Sequence, residues 1–511
     1  MAPASSDVLI AGAGPTGLML ALWLTRLGLR VHIVDPKDGP TTETRAIAVQ
    51  ARTLEFYDQL GLGKEAIARG THFERLSFFV QGRFKGSIKI GDLGADLTPH
   101  PYVYILTQDQ NEQMLEQALR SLGVQVAWNT ALVTFSQDAA GVTATLRRGE
   151  QEETVSATYL AGCDGGSSTV RQSLALDLSG GTYENRFYVA DVTATGKLPP
   201  KNVNFFLDDT RFSIFFPLPE ARHHRIVGQL PQDTGEQPDF ERVRPEIEAH
   251  GLALIEQVHW FSSYRVHHRV AERFRVGRAF LLGDAGHLHS PVGGQGMNTG
   301  LGDASNLAWK LAQTVRGGNP ALLETYEPER RPFAVSLVNT TDRVFNFVIK
   351  PSFWGRTMRT RLIPLLPFLT RPSFVRRQLF LTVSQTKIQY VNSPLSCGRT
   401  GKLRGGERLP WVKTADGSNF DALKSLDWQV HVYGAAHTDL SSWCAERNLP
   451  LRTFPHTKAS QKVGLVENAI YLIRPDGHIG LALPTFEQGS LEAYAERWLS
   501  LDKTAPKQSV K

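Results

Sequence analysis

Three glycines near the start of the chain have the spacing of a nucleotide-binding loop. Gly12, Gly14 and Gly17 lie in a GAGPTG segment between a predicted buried strand and a predicted helix. The first glycine permits a tight turn, the second lets a pyrophosphate approach the backbone, and the third lets the helix pack against the strand. The helix N-terminus offers N–H groups and a positive dipole to the phosphates. Asp35 ends the next predicted strand, where a carboxylate can bind ribose hydroxyls, so the complete unit predicts dinucleotide binding rather than a purely structural turn.

A second acidic residue, Asp164, follows another predicted strand in an AGCDGG segment at positions 161–166. A strand that ends in Asp-Gly places a carboxylate near the pocket of the first glycine loop. On its own this pattern also fits a turn that caps a short helix.

A third motif combines an acidic residue with a second glycine-rich loop. The segment 278–287 reads RAFLLGDAGH, and 290–298 reads SPVGGQGMN. A buried strand delivers Asp284 to a polyol chain, and the loop from Pro291 to Gly296 lets the backbone approach a flat ring. The helix that begins near Asn298 would aim its N–H groups at that ring, where they stabilise a reduced, anionic flavin.

In this order and spacing, the three motifs resemble those of the group A flavoprotein monooxygenases typified by para-hydroxybenzoate hydroxylase. The resemblance covers about Asp7 to Ala334. It implies cofactor-binding roles for Gly12, Gly14, Gly17, Asp35, Arg45, Gln108, Asp164, Asp284, Pro291, Gly294, Gly296, Met297 and Asn298.

The resemblance also implies which part of FAD each residue meets. Arg45 would reach the flavin side, and Gln108 the pyrophosphate and ribityl chain. Asp164 would serve both FAD and the nicotinamide cofactor, and Asp284 the ribityl chain. Pro291 and residues 294–298 would line the isoalloxazine, while Asp35 stands where many relatives have Glu.

The family activity that this resemblance implies is hydroxylation of a phenolic or polyketide-type aromatic molecule. FAD is held noncovalently, NAD(P)H binds transiently without a second glycine motif, and O2 supplies one oxygen atom through a C4a-hydroperoxyflavin. The cofactor carries the chemistry, and the protein positions the substrate in a dry pocket. Epoxidation and Baeyer–Villiger insertion are alternatives on the same fold, and a non-catalytic flavin-binding scaffold is a third.

Substrate contacts are predicted at Phe216, Tyr264 and Pro291. Phe216 belongs to an alternating segment with Phe212 and Phe215, of which some are expected to wall the pocket and others to be core. No catalytic base is identified from the sequence. The histidines have no metal-ligand spacing, so no metal site is predicted.

Local patterns predict a helix over about residues 53–70, a strand over 124–128 and alternating strands over 183–229. The coarse pattern predicts an α/β fold with a discontinuous Rossmann-like FAD-binding domain and an inserted antiparallel β-sheet substrate domain. The expected boundaries are 1–178 and 276–345 for the first, and 179–275 for the second. Residues 346–392 form a helical linker region, whose basic and apolar residues favour surface helices over membrane contact. A thioredoxin-like domain is expected over 393–511, because the segment AIYLIRPDGHI at 469–479 resembles that domain of the phenol hydroxylase branch.

Composition limits the remaining classes of function. The net charge of +6 is spread along 511 residues, which disfavours a nucleic-acid partner. The three cysteines form no Cys-x-x-Cys pair, so a reducing, cytoplasmic location is expected without thiol exchange in the last domain. No signal peptide or membrane span is predicted. The expected partner is a small aromatic substrate, and a homodimer is a further possibility.

Overall fold

The computed structural model describes residues 5–42, 46–90, 94–209, 211–231, 235, 238–249, 251–290, 294–349, 353–370 and 372–499. Three large sheets organise these residues. Among the helices in this part of the chain, none is both long enough and apolar enough to cross a lipid bilayer.

The first sheet has a parallel core, in which four strands run in the order β17-β10-β1-β2. Its strands are β1 (Ser5–Ala11), β2 (Val31–Val34), β8 (Ala131–Gln137), β9 (Val142–Arg148), β10 (Gln151–Gly162), β16 (Arg275–Val276) and β17 (Ala279–Leu281). The central strand β1 is apolar and buried from Val8 onwards, as expected for a strand that is covered on both faces.

Helices cover this sheet, and small residues set how closely they pack. They are α1 (Pro15–Arg26), α2 (Ala51–Gln59), α3 (Gly63–Arg69), α4 (Gln108–Ser121), α5 (Thr169–Ser173), α7 (Gly296–Val315), α8 (Ala321–Glu324) and α9 (Tyr326–Ile349). The remaining helix of this part of the chain, α6 (Arg244–Glu248), lies on the second sheet instead. A Cβ at Gly300 of α7 would overlap the Thr16 hydroxyl of α1. The two helices therefore pack closely only because that position is glycine.

The second sheet has eight strands in the order β18-β15-β11-β14-β13-β12-β5-β6. They are β5 (Arg75–Val80), β6 (Arg83–Lys89), β11 (Leu178–Gly196), β12 (Asn202–Leu207), β13 (Phe212–Pro217), β14 (His223–Gln229), β15 (Ala253–Ala271) and β18 (His287–Leu288). A small sheet of β3 (Ala48–Val49), β4 (Thr71–His72) and β7 (Tyr104–Ile105) lies beside it.

A chain of short helices follows α9. It contains α10 (Phe353–Thr357), a π-helical turn at Met358–Leu362, a 3-10 turn at Ile363–Leu365, α11 (Leu366–Leu369) and α12 (Ser373–Val383). Prolines at positions 364, 367 and 372 remove backbone donors, which explains why no long helix forms here.

The C-terminal region forms the third sheet, in the order β20-β19-β26-β25-β23-β24. Its elements are β19 (Cys397–Thr400), β20 (Leu403–Arg404), β21 (Lys413–Thr414), β22 (Gly417–Ser418), β23 (Gln429–Tyr433), α13 (Thr438–Glu446), β24 (Leu451–Phe454), α14 (Lys458–Lys462), β25 (Ile470–Ile473), β26 (Ile479–Leu483) and α15 (Gln488–Trp498). β21 and β22 pair only with each other.

Three expectations about local structure differ from what the chain adopts. The helix expected over residues 53–70 is two helices, α2 and α3, because Gly61 takes a positive φ of 78° between them. The strand expected over residues 124–128 is reduced to an isolated bridge between Ala127 and Val34. Strands β5 and β6 lie within the range 1–178, yet β5 pairs with β12 of the inserted sheet.

Candidate functional site

The three sequence motifs meet at one edge of the first sheet. β1 and β10 pair in parallel, as do β10 and β17, so all three strands end on the same side. Gly12 directly follows β1, Asp164 lies two residues after β10, and Asp284 lies three residues after β17. Ligands of open α/β sheets bind outside the carboxyl ends of the strands, which makes this edge the candidate site.

The glycine loop separates two packing roles from one binding role. Added Cβ atoms at Gly12 and Gly17 would overlap carbonyl oxygens, of Cys163 and Gly12 respectively. A Cβ at Gly14 would meet no atom of the described residues within 4 Å. Gly12 and Gly17 therefore let the protein pack, whereas Gly14 leaves space at the N-terminus of α1, where a pyrophosphate approaches the backbone.

Asp35 fixes the shape of the same loop. Its carboxylate accepts hydrogen bonds from the backbone N–H groups of Ala13 at 2.6 Å and Lys37 at 2.9 Å. The side chain is buried, at 5% exposure. These bonds hold the acid beside the glycine loop, while its predicted contact with the adenosine ribose stays a prediction.

Asp164 has a hydrogen-bonding atom that the protein does not use. Its Oδ2 accepts a hydrogen bond from the N–H of Val170 at 3.1 Å, whereas its buried Oδ1 has no partner among the residues that the structure describes. Burial raises the pKa of this carboxyl group. A buried polar atom without a partner is costly in a folded protein, so this one fits a polar group of a bound cofactor.

Asp284 lies in a short 3-10 turn and is exposed. The turn is held from behind, because the N–H of Gly283 donates to the carboxylate of Asp303 at 3.0 Å. Asp303 itself is completely buried in α7. Asp303 of α7 thus positions the turn that contains Asp284, the residue predicted to bind the ribityl chain of FAD.

Within the described part of the chain, no side chain caps the N-terminus of α7, where the first N–H groups of a helix and its positive dipole favour an anion. Met297 accepts a hydrogen bond from the Asn111 amide at its sulfur, at 3.3 Å. A Cβ at Gly294 would lie 2.6 Å from the Cβ of Ala48, so the loop packs closely on β3.

The side chain of Asn298 makes its hydrogen bonds within the protein, while its predicted place beside the flavin ring stays a prediction. Its Oδ1 accepts hydrogen bonds from Gln50 N and Thr53 Oγ1, and its Nδ2 donates to the carbonyl oxygens of Ala48 and Gly294. The amide is thus used within the protein, tying α7 to β3 and α2, and only the backbone is left for a flavin contact.

Three further residues predicted to bind FAD are Arg45, Gln108 and Pro291. Gln108 begins α4, and its Nε2 donates to Glu112 at 2.9 Å. Arg45 and Pro291 lie outside the described residues.

Two polar residues directly precede the glycine-rich loop at 291–296, which we call the flavin loop, and they were not predicted as site residues. Ser290 is fully buried, and its hydroxyl has no partner within the described part of the chain. His289 bonds the carbonyl oxygen of Ser290 through Nδ1 at 2.9 Å, and burial lowers the pKa of the imidazole to about 4. The ring is neutral near pH 7, and its buried Nε2 is an acceptor. Their position next to the glycine-rich loop was the available signal.

The aromatic residues of β13 divide between the two faces of the second sheet. Phe212 and Phe216 are half-buried on one face, and Phe215 is buried on the other. Phe187 lies 6.4 Å from Phe212 and 6.3 Å from Tyr264 between ring centres, which places these three side chains on the Phe216 face. We call this face the aromatic face.

The aromatic face abuts the flavin loop. Its apolar cluster includes Ile105 of β7, which pairs with Ala48 of β3. The carbonyl oxygen of Ala48 accepts the hydrogen bond from Asn298 in α7. Phe216 and Tyr264 are therefore presented on the side of the sheet that faces the candidate cofactor site, whereas Phe215 packs with Phe206 behind it.

A buried ion pair on the aromatic face escaped the sequence analysis. Arg225 is in register with Phe216, and its guanidinium donates to both carboxylate oxygens of Asp191 at 2.7 and 2.6 Å. Trp260 lies 6.0 Å away, measured to its ring centre. The partners are 34 residues apart, so no local pattern could reveal them.

A network of buried charges connects α7 to the C-terminal domain. Arg330 uses all three guanidinium nitrogens, donating to Asp303, the Tyr390 hydroxyl and the Thr299 carbonyl oxygen at 2.6 to 3.0 Å. The same carboxylate of Asp303 bonds His287 at 2.8 Å.

Glu329 is the second centre of this network. Arg474 of the C-terminal domain donates to both of its carboxylate oxygens, at 2.8 and 2.9 Å, and Lys310 of α7 donates at 2.8 Å. Burial alone would raise the pKa of Glu329, but the two cations hold it at about 2. Arg474 also pairs with Asp476, so the turn at 474–478 is locked against α7.

Comparisons with known proteins agree with this geometry. A family model described as an FAD binding domain matches residues 5–341. The 6-methylpretetramide 4-monooxygenase of Streptomyces rimosus is 36% identical, over 93% of this chain and 90% of the relative. The rifampicin monooxygenase of Rhodococcus hoagii is 30% identical, over 93% and 94%. The solved structure of OxyS, an anhydrotetracycline hydroxylase from Streptomyces rimosus, matches with a TM-score of 0.78 at 29% identity, over 97% and 99%.

The family model covers more than half of the chain, and the first of these relatives is 36% identical over 93% of it. The chain belongs to the family of FAD-binding monooxygenases and is an FAD-dependent aromatic monooxygenase, for which NAD(P)H and O2 are the typical co-substrates.

Proposed function

We propose that this enzyme hydroxylates a polycyclic aromatic substrate of the polyketide type. The observation that carries the proposal is the breadth of the aromatic face beside the flavin loop. Half-buried apolar and aromatic side chains of three strands, β12, β13 and β15, lie on it, namely Phe205, Phe212, Ile214, Phe216, Trp260 and Tyr264. A single phenol ring would contact only part of such a surface, whereas a fused ring system can lie along it.

The names of the relatives support the same substrate class. A 6-methylpretetramide 4-monooxygenase and an anhydrotetracycline hydroxylase both match along nearly the whole chain. We infer a related substrate for this chain from its aromatic face, with Phe216 and Tyr264 as contacts.

The residues at the sheet edge fit FAD and would divide its binding between them. Gly14 and the N-terminus of α1 would accommodate the pyrophosphate, with Asp35 at the adenosine ribose. Asp284 would meet the ribityl chain, and residues 294–298 the flavin ring. When bound, FAD accepts a hydride from NAD(P)H and activates O2, so it supplies the oxidising chemistry.

This chain's own residues would then bind, orient and shield. The aromatic face holds the substrate ring, and its apolar side chains exclude water from the reacting centre. The neutral imidazole of His289, beside the flavin loop, offers an acceptor for a hydroxyl or N–H group. Asp303, through the N–H of Gly283, keeps the turn of Asp284 in place.

We further propose that the C-terminal region is a thioredoxin-like domain. Its inner strands run in the order β24-β23-β25-β26, with β23 and β24 parallel and β25 antiparallel to both neighbours. Cys444 is buried, and burial raises its pKa to about 12, so it is unsuited to thiol exchange. The domain would hold α7 in position through the Glu329 network. The enzyme would work in a reducing compartment. We also assign 75–89 to the substrate sheet, and otherwise keep the predicted domain boundaries.

The test is a substrate screen under ¹⁸O2. Fused three- and four-ring phenols should stimulate NAD(P)H oxidation more than single-ring phenols, and the product should gain one labelled oxygen. Phe216→Leu should raise KM for the best substrate and leave FAD content unchanged. Phe215→Leu, on the opposite face, should leave KM unchanged. Turnover of single-ring phenols alone would refute the polycyclic assignment.

A further inference from the structure

The short helices after α9 expose an unusual amount of apolar surface. Seven of the ten exposed large apolar side chains among the described residues fall within residues 362–379. We call them the leucine-rich surface, and they are Leu362, Leu365, Leu366, Phe368, Leu369, Phe374 and Leu379. Leu369 and Phe374 are 61% and 69% exposed, so most of each side chain faces solvent. Soluble proteins seldom concentrate large apolar side chains in this way unless the surface binds something.

The same part of the chain is strongly basic. Between Asp342 and Glu407 the sequence has twelve Lys or Arg residues and neither Asp nor Glu. Since the whole chain carries a net charge of +6, the rest of it is net negative. Arg361 and Arg377 are exposed among the leucines. An apolar surface with basic residues around it is complementary to a partner that has a negatively charged outer layer and an apolar interior.

These helices are attached firmly at both ends. Arg359 is buried and donates from Nε to the carbonyl oxygen of Asp208, at the end of β12, at 3.1 Å. At the other end, the Gln295 amide donates to the carbonyl oxygen of Val383 at 2.9 Å. Gln295 directly precedes α7. The leucine-rich surface is therefore held in place between the substrate sheet and the flavin loop.

We propose that the leucine-rich surface docks this enzyme on an anionic lipid bilayer. Leucine and phenylalanine side chains insert at the boundary between headgroups and acyl chains, and neighbouring arginines bind the anionic headgroups. Binding is peripheral, because no helix among the described residues could span the bilayer. Ile363, from the same short helices, packs in the apolar cluster of the aromatic face, so a lipophilic substrate that dissolves in the membrane would be taken up near the candidate cofactor site.

The test is cosedimentation of the holoenzyme with vesicles. Vesicles of phosphatidylcholine and phosphatidylglycerol should bind at least about fivefold more protein than vesicles of phosphatidylcholine alone. Raising NaCl from about 0.05 to about 0.5 M should weaken binding, because salt screens the arginines. The triple variant Leu365→Ser, Leu369→Ser, Phe374→Ser should lose binding.

Exposed leucines elsewhere provide a matched control. The double variant Leu122→Ser, Leu254→Ser should bind vesicles like the wild type, and both variants should keep full FAD content as evidence of folding. Equal binding of the triple variant and the wild type would overturn the proposal. So would the absence of vesicle binding, including the case in which the triple variant instead converts a dimer to a monomer in sedimentation velocity. None of these results depends on which aromatic molecule is hydroxylated.

Discussion

The buried arginines of one region and two buried oxygen atoms of another differ in whether the described residues give them hydrogen-bond partners. In the network between α7 and the C-terminal domain, Arg330 and Arg474 use every guanidinium nitrogen within the chain. At the edge of the first sheet, Asp164 Oδ1 and Ser290 Oγ are buried without partners among the described residues. The arginines link α7 and α9 to the C-terminal domain, whereas the two oxygen atoms remain able to accept a hydrogen bond from a bound group.

The pKa directions follow the same division. Burial raises the pKa of any carboxyl group, but nearby cations outweigh burial at Asp303, Glu329 and Asp476, whose pKa values are lowered. At Asp164, burial prevails and the pKa is raised. The protein therefore stabilises the ionised carboxylates of the network more strongly than that of Asp164.

The largest effect is expected from Glu329→Gln. The substitution leaves Arg474 and Lys310 buried beside a neutral amide, which should lower the free energy of unfolding by about 3 to 5 kcal/mol. Urea denaturation measures the change. The control is Glu446→Gln, whose exposed pair with Arg447 should be worth no more than about 1 kcal/mol. Equal effects of the two variants would mean that the network does not stabilise the fold.

Acid should weaken the network in a predictable direction. A carboxylate whose pKa is lower in the folded protein stabilises the fold above its unfolded pKa, and this stabilisation is lost as the pH falls. For Glu329 the pKa drops from 4.5 to about 2, so on the order of 3 kcal/mol should be lost between about pH 5 and pH 2. Urea denaturation at several pH values in this range should show that the free energy of unfolding changes less with pH in Glu329→Gln than in the wild type. The same pH dependence in both proteins would exclude Glu329 as a source of acid sensitivity.

Two glycines of the same loop should respond differently to alanine. Gly17→Ala forces a Cβ against the Gly12 carbonyl oxygen and should cost the apoprotein at least about 2 kcal/mol. Gly14→Ala meets no atom of the described residues, so its cost should stay within about 1 kcal/mol. It should nevertheless weaken FAD binding at least about tenfold, or about 1.4 kcal/mol. Thermal unfolding of the apoproteins and FAD titration separate the effects; normal FAD affinity in Gly14→Ala would place the pyrophosphate elsewhere.

The smallest effect is expected in the C-terminal domain. Cys444→Ser should leave kcat and KM unchanged, because the thiol is buried and has no neighbouring cysteine in the described structure. A loss of stability of about 1 kcal/mol is expected from placing a hydroxyl in an apolar cluster. Steady-state kinetics decide the point, and a large loss of turnover in a fully folded Cys444→Ser variant would indicate a redox role for this domain.

The sequence predicted the residues at the carboxyl edge of the first sheet better than the contacts that join α7 to the C-terminal domain. Gly12, Asp164 and Asp284 each follow a strand within a short, glycine-marked segment, so local pattern was enough to place them at the carboxyl edge of a parallel sheet. The Glu329–Arg474 contact joins residues 145 positions apart, and its geometry depends on the packing of two domains. A single sequence contains no local signal for such a pair.

The second sheet illustrates the same limit. The alternation in residues 183–229 predicted antiparallel strands there, and Phe212, Phe215 and Phe216 were predicted to be a mixture of pocket and core residues. The recruitment of β5 from the first part of the chain was missed, because its pairing with β12 joins residues more than 120 positions apart. Which phenylalanines lie on the aromatic face followed only from the register of Phe216 with Arg225 and from the contacts of Phe187 with Phe212 and Tyr264.

The most direct measurement of the contrast between these two regions is FAD titration and thermal unfolding of Asp164→Asn. The substitution removes a buried charge and keeps an oxygen for the Val170 N–H. The apoprotein should therefore be as stable as the wild type or slightly more so, while FAD affinity falls at least about tenfold. A marked loss of apoprotein stability with wild-type FAD affinity would contradict the account, because Asp164 would then be a structural residue like Asp303.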